Sequence, residues 1–489
     1  MTHDLIKSYK LPEQLRMCQC GTPTSAPAWQ PASATDINRF HTDAYVYFLQ
    51  QLTHNAVSVI DEVLNHVLNA SVCFTETAWI YSTLYVGASL AAAEGLVLGD
   101  DIAISLMGGQ THARRDCASG YSYVNDVVLA ILHLLRAPDG SLEDAPAHPP
   151  PGGEPVNRRV LFVNLDAWHS SGVEEAFYTT DRVCCISLHR YAEGLFPGSG
   201  GRADEGMDAG KYHNINLPVA DGLDDDGLAL LLKPVIAAAA ERYCPHCIVC
   251  CAGAGVLSGD RLGCLNVSLS GYASVLSQLR DLNLPLLVLG GGGFTQLNAA
   301  KAWCTATACL CSVDLPVELP EDAMAALDCY PAHELSMSVA KATMEDMNTP
   351  ASLEAVRDGA LKTIEQMPQR TKPAVRTKRP PPTNEPPPVV EGAEGDASGA
   401  ATAAVENGEG GEGGEGGGPG APAEAPSDPA AVQKGSGDGG GGDAEGGGGG
   451  GDGLAPMELE ATGGGGGTAP LEEKPVAMEA EEPGLGDDE

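Results

Sequence analysis

Residues 371–489 contain no Phe, Trp or Tyr, yet they hold 32 of the chain's 61 glycines. A segment without aromatic mass cannot bury enough apolar surface to offset the entropy of ordering it, so this quarter of the chain is expected to remain a disordered Gly/Glu/Pro-rich tail. Basic residues are scarce everywhere: 28 Lys and Arg stand against 66 Asp and Glu, a net charge of −38 over 489 residues. The tail carries 6 against 24 and residues 1–370 carry 22 against 42. That balance excludes a broad basic patch for duplex DNA or an anionic bilayer, and no direct sequence-specific nucleic-acid binding is expected. No run approaches the ~18 uninterrupted apolar residues of a membrane span; the richest, Leu228 to Ala240, is interrupted by Lys233 and Pro234. Met1-Thr2-His3-Asp4 opens no secretory leader, so the expectation is a soluble intracellular protein without a membrane role. The fifteen cysteines read as reduced thiols, and because no second cysteine pair stands at zinc-finger spacing from Cys244, Cys247, Cys250 and Cys251, that cluster reads as small apolar packing. No GxxxxGK[ST] occurs, so the run Gly290–Gly293 is not a phosphate loop.

Present instead are short apolar runs of strand length: Val160–Val163, Val183–Ile186, Ile248–Cys251 and Leu284–Leu289. Between them stand helical patterns such as Leu228–Arg242 and Tyr272–Leu282, and an amphipathic helix is expected over Asn55–Asn69. Buried strands alternating with helices imply an α/β fold with a mainly parallel sheet covered on both faces. Ligands of such sheets bind beyond the strand carboxyl ends. The loops there are Asn164–His169, Cys251–Gly255 and Gly290–Phe294, with a fourth, Gly108–Ala113, after the apolar stretch Ile102–Met107. They and their neighbours hold His112, Asp116, Asp126, Asp166, His169, Asp260 and Arg261. The Asp166-x-x-His169 spacing admits a metal, but residues three apart on a loop need not converge, and a packed imidazole is the competing reading. Pro138–Pro155 reads as a surface insertion and Pro380–Pro388 as a proline-rich exit.

Seven motifs then occur in order: Gly108-Gly109 with His112; Ala118-Ser119-Gly120-Tyr121; Tyr123-Val124-Asn125-Asp126; the twelve residues Gly172–Val183; Leu195-Phe196-Pro197-Gly198; Leu257–Cys264; and Gly290–Gly293. In these the sequence resembles the class I histone deacetylases, from about Met1 to Val317 with a fainter continuation to about residue 370. The resemblance implies a three-layer arginase/deacetylase-like fold, divided here into a deacetylase-like domain at 1–345, a helical segment at 346–370 and the tail at 371–489. It also implies a zinc-dependent hydrolase, in which Asp, His and Asp hold Zn²⁺, two histidines move protons and a tyrosine hydroxyl stabilises the oxyanion. Carried over position by position, most of that set is replaced. Asp166 keeps the first ligand position, but Trp168 stands at the second and Gly255 at the third. Of the paired histidines the first is Thr111 and only His112 remains; their orienting carboxylates are Asn164 and Ser171, and the tyrosine is Phe294. The family's substrate-loop aspartate aligns loosely near Ser71, where this chain has no carboxylate. Zinc ordinarily takes three protein ligands and a water, so zinc is not expected to bind, and the indole of Trp168 is expected to fill the cavity. Recruitment of a different metal by His112, Asp166 and His169 is the alternative.

Other family positions survive. The resemblance assigns Gly120, Tyr121, Phe196 and Leu262 to an acetyl-lysine tunnel, the carbonyls of Phe177–Val183 to a structural monovalent cation, and Arg261 to an inositol phosphate that bridges to corepressor. The companion arginine of that last site is Leu297. The chain also begins part-way into the family's domain, and loss of the first strand is expected to leave a strand edge for a partner or a second copy to cover. The expected role is therefore binding, through class I deacetylases, corepressor proteins or histones, with residual deacetylation and acyl-lysine reading as the alternatives. A basic cluster of Arg370, Lys372, Arg376, Lys378 and Arg379 is compatible with nuclear import, with the cytoplasm as a second compartment. Met457–Glu460 and Leu471–Met478 interrupt the tail's Gly/Glu spacer and read either as docking segments or as low-complexity sequence. A stripped copy with a Gly/Ala/Pro-biased tail fits a captured or duplicated gene, such as one carried by a large DNA virus, for which the compartment would be the host nucleus.

Overall fold

The computed structural model describes residues 1–20, 28–52, 74–136, 158–326 and 336–373, all within the compact unit Met1–Glu391. The helix expected over Asn55–Asn69, Ser71, the insertion at Pro138–Pro155, the proline-rich exit and the tail lie outside the described residues.

Six parallel strands form the central sheet: β1 Ile102–Ser105, β2 Val160–Leu165, β3 Val183–Arg190, β4 Asn214–Val219, β5 Cys247–Ala252 and β6 Leu286–Leu289. Their spatial order is β1-β6-β5-β2-β3-β4. The four expected apolar runs are β2, β3, β5 and β6, and β1 opens the apolar stretch at 102. β4 has no counterpart among the sequence expectations. As an edge strand it tolerates Pro218, and its core-facing residues Ile215, Leu217 and Val219 alternate with Asn214 and Asn216.

Helices cover both faces, which makes this the three-layer α/β fold of the arginase/deacetylase type. They are α1 Ala78–Val97, α2 Asp126–Leu134, α3 Ser171–Phe177, α4 Asp225–Tyr243, α5 Leu269–Asp281, α6 Gln296–Leu310 and α7 Pro350–Gln366. Several starts are fixed by side-chain caps that occupy otherwise unpaired N–H groups. Asn125 accepts from Val128 N, Asp224 from Asp226 N and Gly227 N, Ser268 from Gly271 N, and Thr349 from Ser352 N ahead of Pro350. Alternate strand residues then enter two cores. Leu161, Val163, Ile186 and Cys250 pack against α4, α5, α6 and α7, whereas Phe162, Val183, Val249 and Cys251 pack against α1, α2 and α3. The cysteine cluster follows this rule. Cys247 and Cys250, three apart on one strand, fall in different cores and cannot share a ligand, and burial pushes the Cys250 thiol up to about 12.

A longer apolar segment that the sequence reading did not single out is α1. Its 20 residues are long and apolar enough to cross a membrane by length and composition. Here it is a core helix: Tyr85, Val86, Ala93 and Leu96 are buried, and the Tyr85 hydroxyl donates to Val124 O at 2.8 Å while accepting from Val124 N at 2.8 Å. At the other end of the chain, α7 places Leu353, Val356, Ala360 and Ile364 in the same core as the sheet. Arg370, read from sequence as part of a basic cluster, pairs with Asp181 and is tied into the fold.

Candidate functional site

Four loops meet at the carboxyl ends of β1, β6, β5 and β2, which are consecutive neighbours in the sheet. Asp126 fastens the first of them, accepting from Ser89 Oγ at 2.6 Å, Gly109 N at 3.0 Å and Gln110 N at 2.8 Å. Burial, only partly offset by those donors, pushes its carboxyl up to about 6. Gly109 sits at φ +98°, and a Cβ there would stand 2.5 Å from the Gly290 carbonyl carbon, so only glycine lets the β1 and β6 loops touch. Asp260 fastens the β6 loop: Oδ2 accepts from Phe294 N and Thr295 N, and Oδ1 from Leu262 N and Gly263 N.

Between these loops lies a cavity of about 370 Å³. The expectation that the indole fills it is therefore corrected. Trp168 leans on Gly255 instead, where a Cβ would stand 2.5 Å from Trp168 Cζ3 and 2.6 Å from Asp166 Oδ1. Trp168 and Gly255 are thus sterically interdependent, since a side chain at 255 and the indole at 168 compete for one volume. Phe294 completes the wall, its ring 5.1 Å from that of Trp168 with the planes 77° apart. Tyr121, 56% exposed, stands at the rim with its ring 5.8 Å from Phe294, and Leu262, 44% exposed, also lines the opening.

Asp166 lines the same cavity and is 7% exposed. Its Oδ2 accepts from Gly292 N at 2.7 Å and its Oδ1 from Ala167 N at 2.6 Å. Burial raises the carboxyl to about 7, and the nearby Asp260 adds to the rise. His112 packs its ring 5.0 Å from Phe196. Gly120 makes this possible, because a Cβ there would stand 2.6 Å from Phe196 Cζ. The His112 Nδ1 is buried without a partner, and burial, with His169 adding, pushes the imidazole down to about 3, so it is neutral.

At the two positions where the resemblance implies orienting carboxylates, the side chains make other contacts. Asn164 Nδ2 donates to Trp168 O at 2.8 Å, Ser187 Oγ at 3.1 Å and Leu188 O at 3.4 Å, while its Oδ1 is buried unpaired. Ser171 lines a second hollow of about 340 Å³ beside Arg114, whose Nε is 3.0 Å from Glu175. Thr111 is buried, and its carbonyl accepts from Asn125 Nδ2 and Gly172 N. His169 does not meet Asp166: its Nε2 faces Glu174 at 3.0 Å and its Nδ1 faces Ser199 at 2.8 Å. Burial alone would raise Glu174, but His169, Asn214 and Asn216 together hold it below the usual carboxylate range. Arg261 Nε donates to Phe294 O at 3.0 Å, and Leu297 packs with Leu5 and Leu11 in an apolar cluster. Arg190, which lines the cavity and pairs with Asp221, is absent from the sequence candidates, because nothing in its local pattern marks it.

This donor set does not fit zinc. Among the described residues no group of three or more His, Cys, Asp or Glu is placed to hold a metal ion. Asp166 already accepts from two backbone N–H groups, and the Trp168 indole lies where a side chain at 255 would have to reach.

Comparisons with known proteins agree with the resemblance. Residues 3–310 match the sequence profile of the histone deacetylase domain. The chain is 36% identical over 395 residues to histone deacetylase 1 of Oryza sativa, covering 81% of this chain and 70% of that one. It is 38% identical over 369 residues to histone deacetylase 2 of the same plant, covering 75% and 67%, and 33% identical over 372 residues to histone deacetylase 1 of Homo sapiens, covering 75% and 70%. With the parallel sheet, the four loops at its carboxyl edge and these matches together, the chain belongs to the histone deacetylase family.

Proposed function

We propose that this family member is catalytically silent and acts by contact, pairing in the nucleus with active class I deacetylases or their corepressor proteins and so influencing chromatin. The observation that carries the reading is the exchange at Trp168 and Gly255, which removes two ligand positions and fills part of their space with an indole. The remaining losses compound it. Removing a hydroxyl that stabilises an oxyanion costs about 10²–10³ in rate, and losing general acid–base help costs roughly 10²–10⁴, although such factors do not simply add. The surface motifs that include Tyr121, Phe196 and Arg261 are kept, and these are available to partners.

The test is one preparation measured three ways: zinc by elemental analysis, hydrolysis of an acetyl-lysine peptide with and without chelator, and co-purifying proteins by mass spectrometry. The reading expects less than stoichiometric zinc, no chelator-sensitive hydrolysis from the chain itself, and deacetylase or corepressor subunits among the partners. Stoichiometric zinc with intrinsic turnover would overturn it in favour of residual lysine deacetylation. A second reading, an acyl-lysine-binding module, is favoured by the open cavity of about 370 Å³, and tight acetyl-peptide binding without partners would support it.

A further inference from the structure

We propose that the cavity recognises a methylated ammonium group, of the kind carried by trimethyllysine or by a free quaternary amine. This rests on the contact reading above, because a zinc ion would claim the same floor.

The rings of Trp168, Phe294, Tyr121 and Phe196 all line the one cavity. Trp168 and Phe294 stand at 77° to each other, and Phe294 and Tyr121 at 52°. Successive walls therefore turn, and they bound a corner instead of a flat slot. The face of an aromatic ring is the negative pole of its quadrupole, and a cation within about 6 Å of the centroid is attracted, more so where water is excluded. The floor adds a full carboxyl group. Asp166 is 7% exposed and has no ion-pair partner among the described residues. The one arginine along the lining, Arg190, is held by Asp221 at 2.7 Å and turned to Leu262 O at 3.3 Å. Aromatic walls over an acidic floor select a cation with an apolar surface. A bare ammonium is strongly hydrated and asks for acceptors on three protons, which these rings cannot supply. A methylated ammonium keeps the charge and presents methyl groups. A neutral acetamide gains no charge attraction from the carboxyl, and its carbonyl would miss a hydroxyl where Phe294 stands.

Calorimetric titration of the full chain decides the matter with five probes. These are one short peptide carrying trimethyllysine, the same peptide with lysine, with acetyl-lysine or with the uncharged tert-butyl isostere, and tetramethylammonium alone. The expected result is saturable one-to-one binding of the trimethyllysine peptide, about tenfold tighter than the tert-butyl, lysine or acetyl-lysine forms. Trp168→Leu and Asp166→Asn should each abolish that preference. If Trp168→Leu fails to fold, the tert-butyl comparison on the unaltered chain still decides. Tetramethylammonium binding as tightly as the peptide identifies a free quaternary amine as the ligand, and a tighter peptide identifies a lysine side chain; both support the proposal. Equal affinity for the tert-butyl and trimethylammonium forms overturns it, as does a zinc-free, inactive preparation that ignores every methylated probe. Stoichiometric zinc with turnover in that preparation instead overturns the contact reading itself.

Discussion

At the scale of single residues, the interdependence of Trp168 and Gly255 gives a measurable coupling. Gly255→Asp alone puts a side chain into the indole and a second carboxyl beside Asp166, and should cost about 1–3 kcal/mol in urea unfolding. Combining it with Trp168→His should recover part of that loss, with a coupling on the order of 1 kcal/mol. Added zinc should raise the melting temperature of the double variant and of neither single one. A pH effect belongs to His41, which is 2% exposed and fully satisfied as a neutral ring, with Nε2 accepting from Asn125 N at 3.0 Å and Nδ1 facing Arg115 O at 3.2 Å. Burial pushes it down to about 4 from the ordinary 6.5. A folded-state value below the unfolded one contributes stability above pH 6.5, lost as pH falls from there toward 4, on the order of 3 kcal/mol at most. His41→Gln should be less stable at pH 7, yet lose less between pH 6.5 and 4.5 in the same urea titration. Because His112 and His189 are pushed down to about 3 as well, part of the slope should remain, and a variant with a wholly unchanged slope would show that His41 is not among the titrating groups.

At the scale of elements, α7 belongs to the central core through Leu353, Val356, Ala360 and Ile364. Leu353→Ala should cost about 2–5 kcal/mol, and a chain stopped at 345 should lose its cooperative melt, because α4 and β4 would then expose their apolar faces. A truncated chain that melts cooperatively at the original temperature would count against this packing. What the sequence discloses and what it hides both follow from burial. β2, β3, β5 and β6 are legible because both their faces are covered, so each reads as an unbroken apolar run. β4 is hidden because Asn214 and Asn216 face a buried polar network around Glu174, which accepts from both amides. The alternation of Ile215, Leu217 and Val219 was the available signal. Within the site, the residue standing at each expected position can be read from the sequence, but the cavity between the loops cannot. Where the indole rests depends on the space left at Gly255, and that is a fact about two loops 87 residues apart.

At the scale of the whole molecule, a net charge of −38 means that any basic partner is drawn by a diffuse field as well as by specific contacts. Affinity for a Lys- and Arg-rich peptide should therefore fall steeply as salt rises from about 50 to 300 mM, since exposed charges farther apart than roughly 10 Å become screened. The share owed to the corner of aromatic rings should persist, so the ratio of methylated to unmethylated affinity should change little over the same range. A ratio that collapses with salt would place recognition on the acidic surface. The arrangement at the strand ends also bears on the molecule's history. Because Trp168 packs into the space that a side chain at 255 would need, Gly255→Asp made first crowds the loops, whereas Trp168→His made first does not. Under the contact reading proposed above, the order of change is therefore constrained, and a new use for the cavity lies fewer substitutions away than a rebuilt metal site.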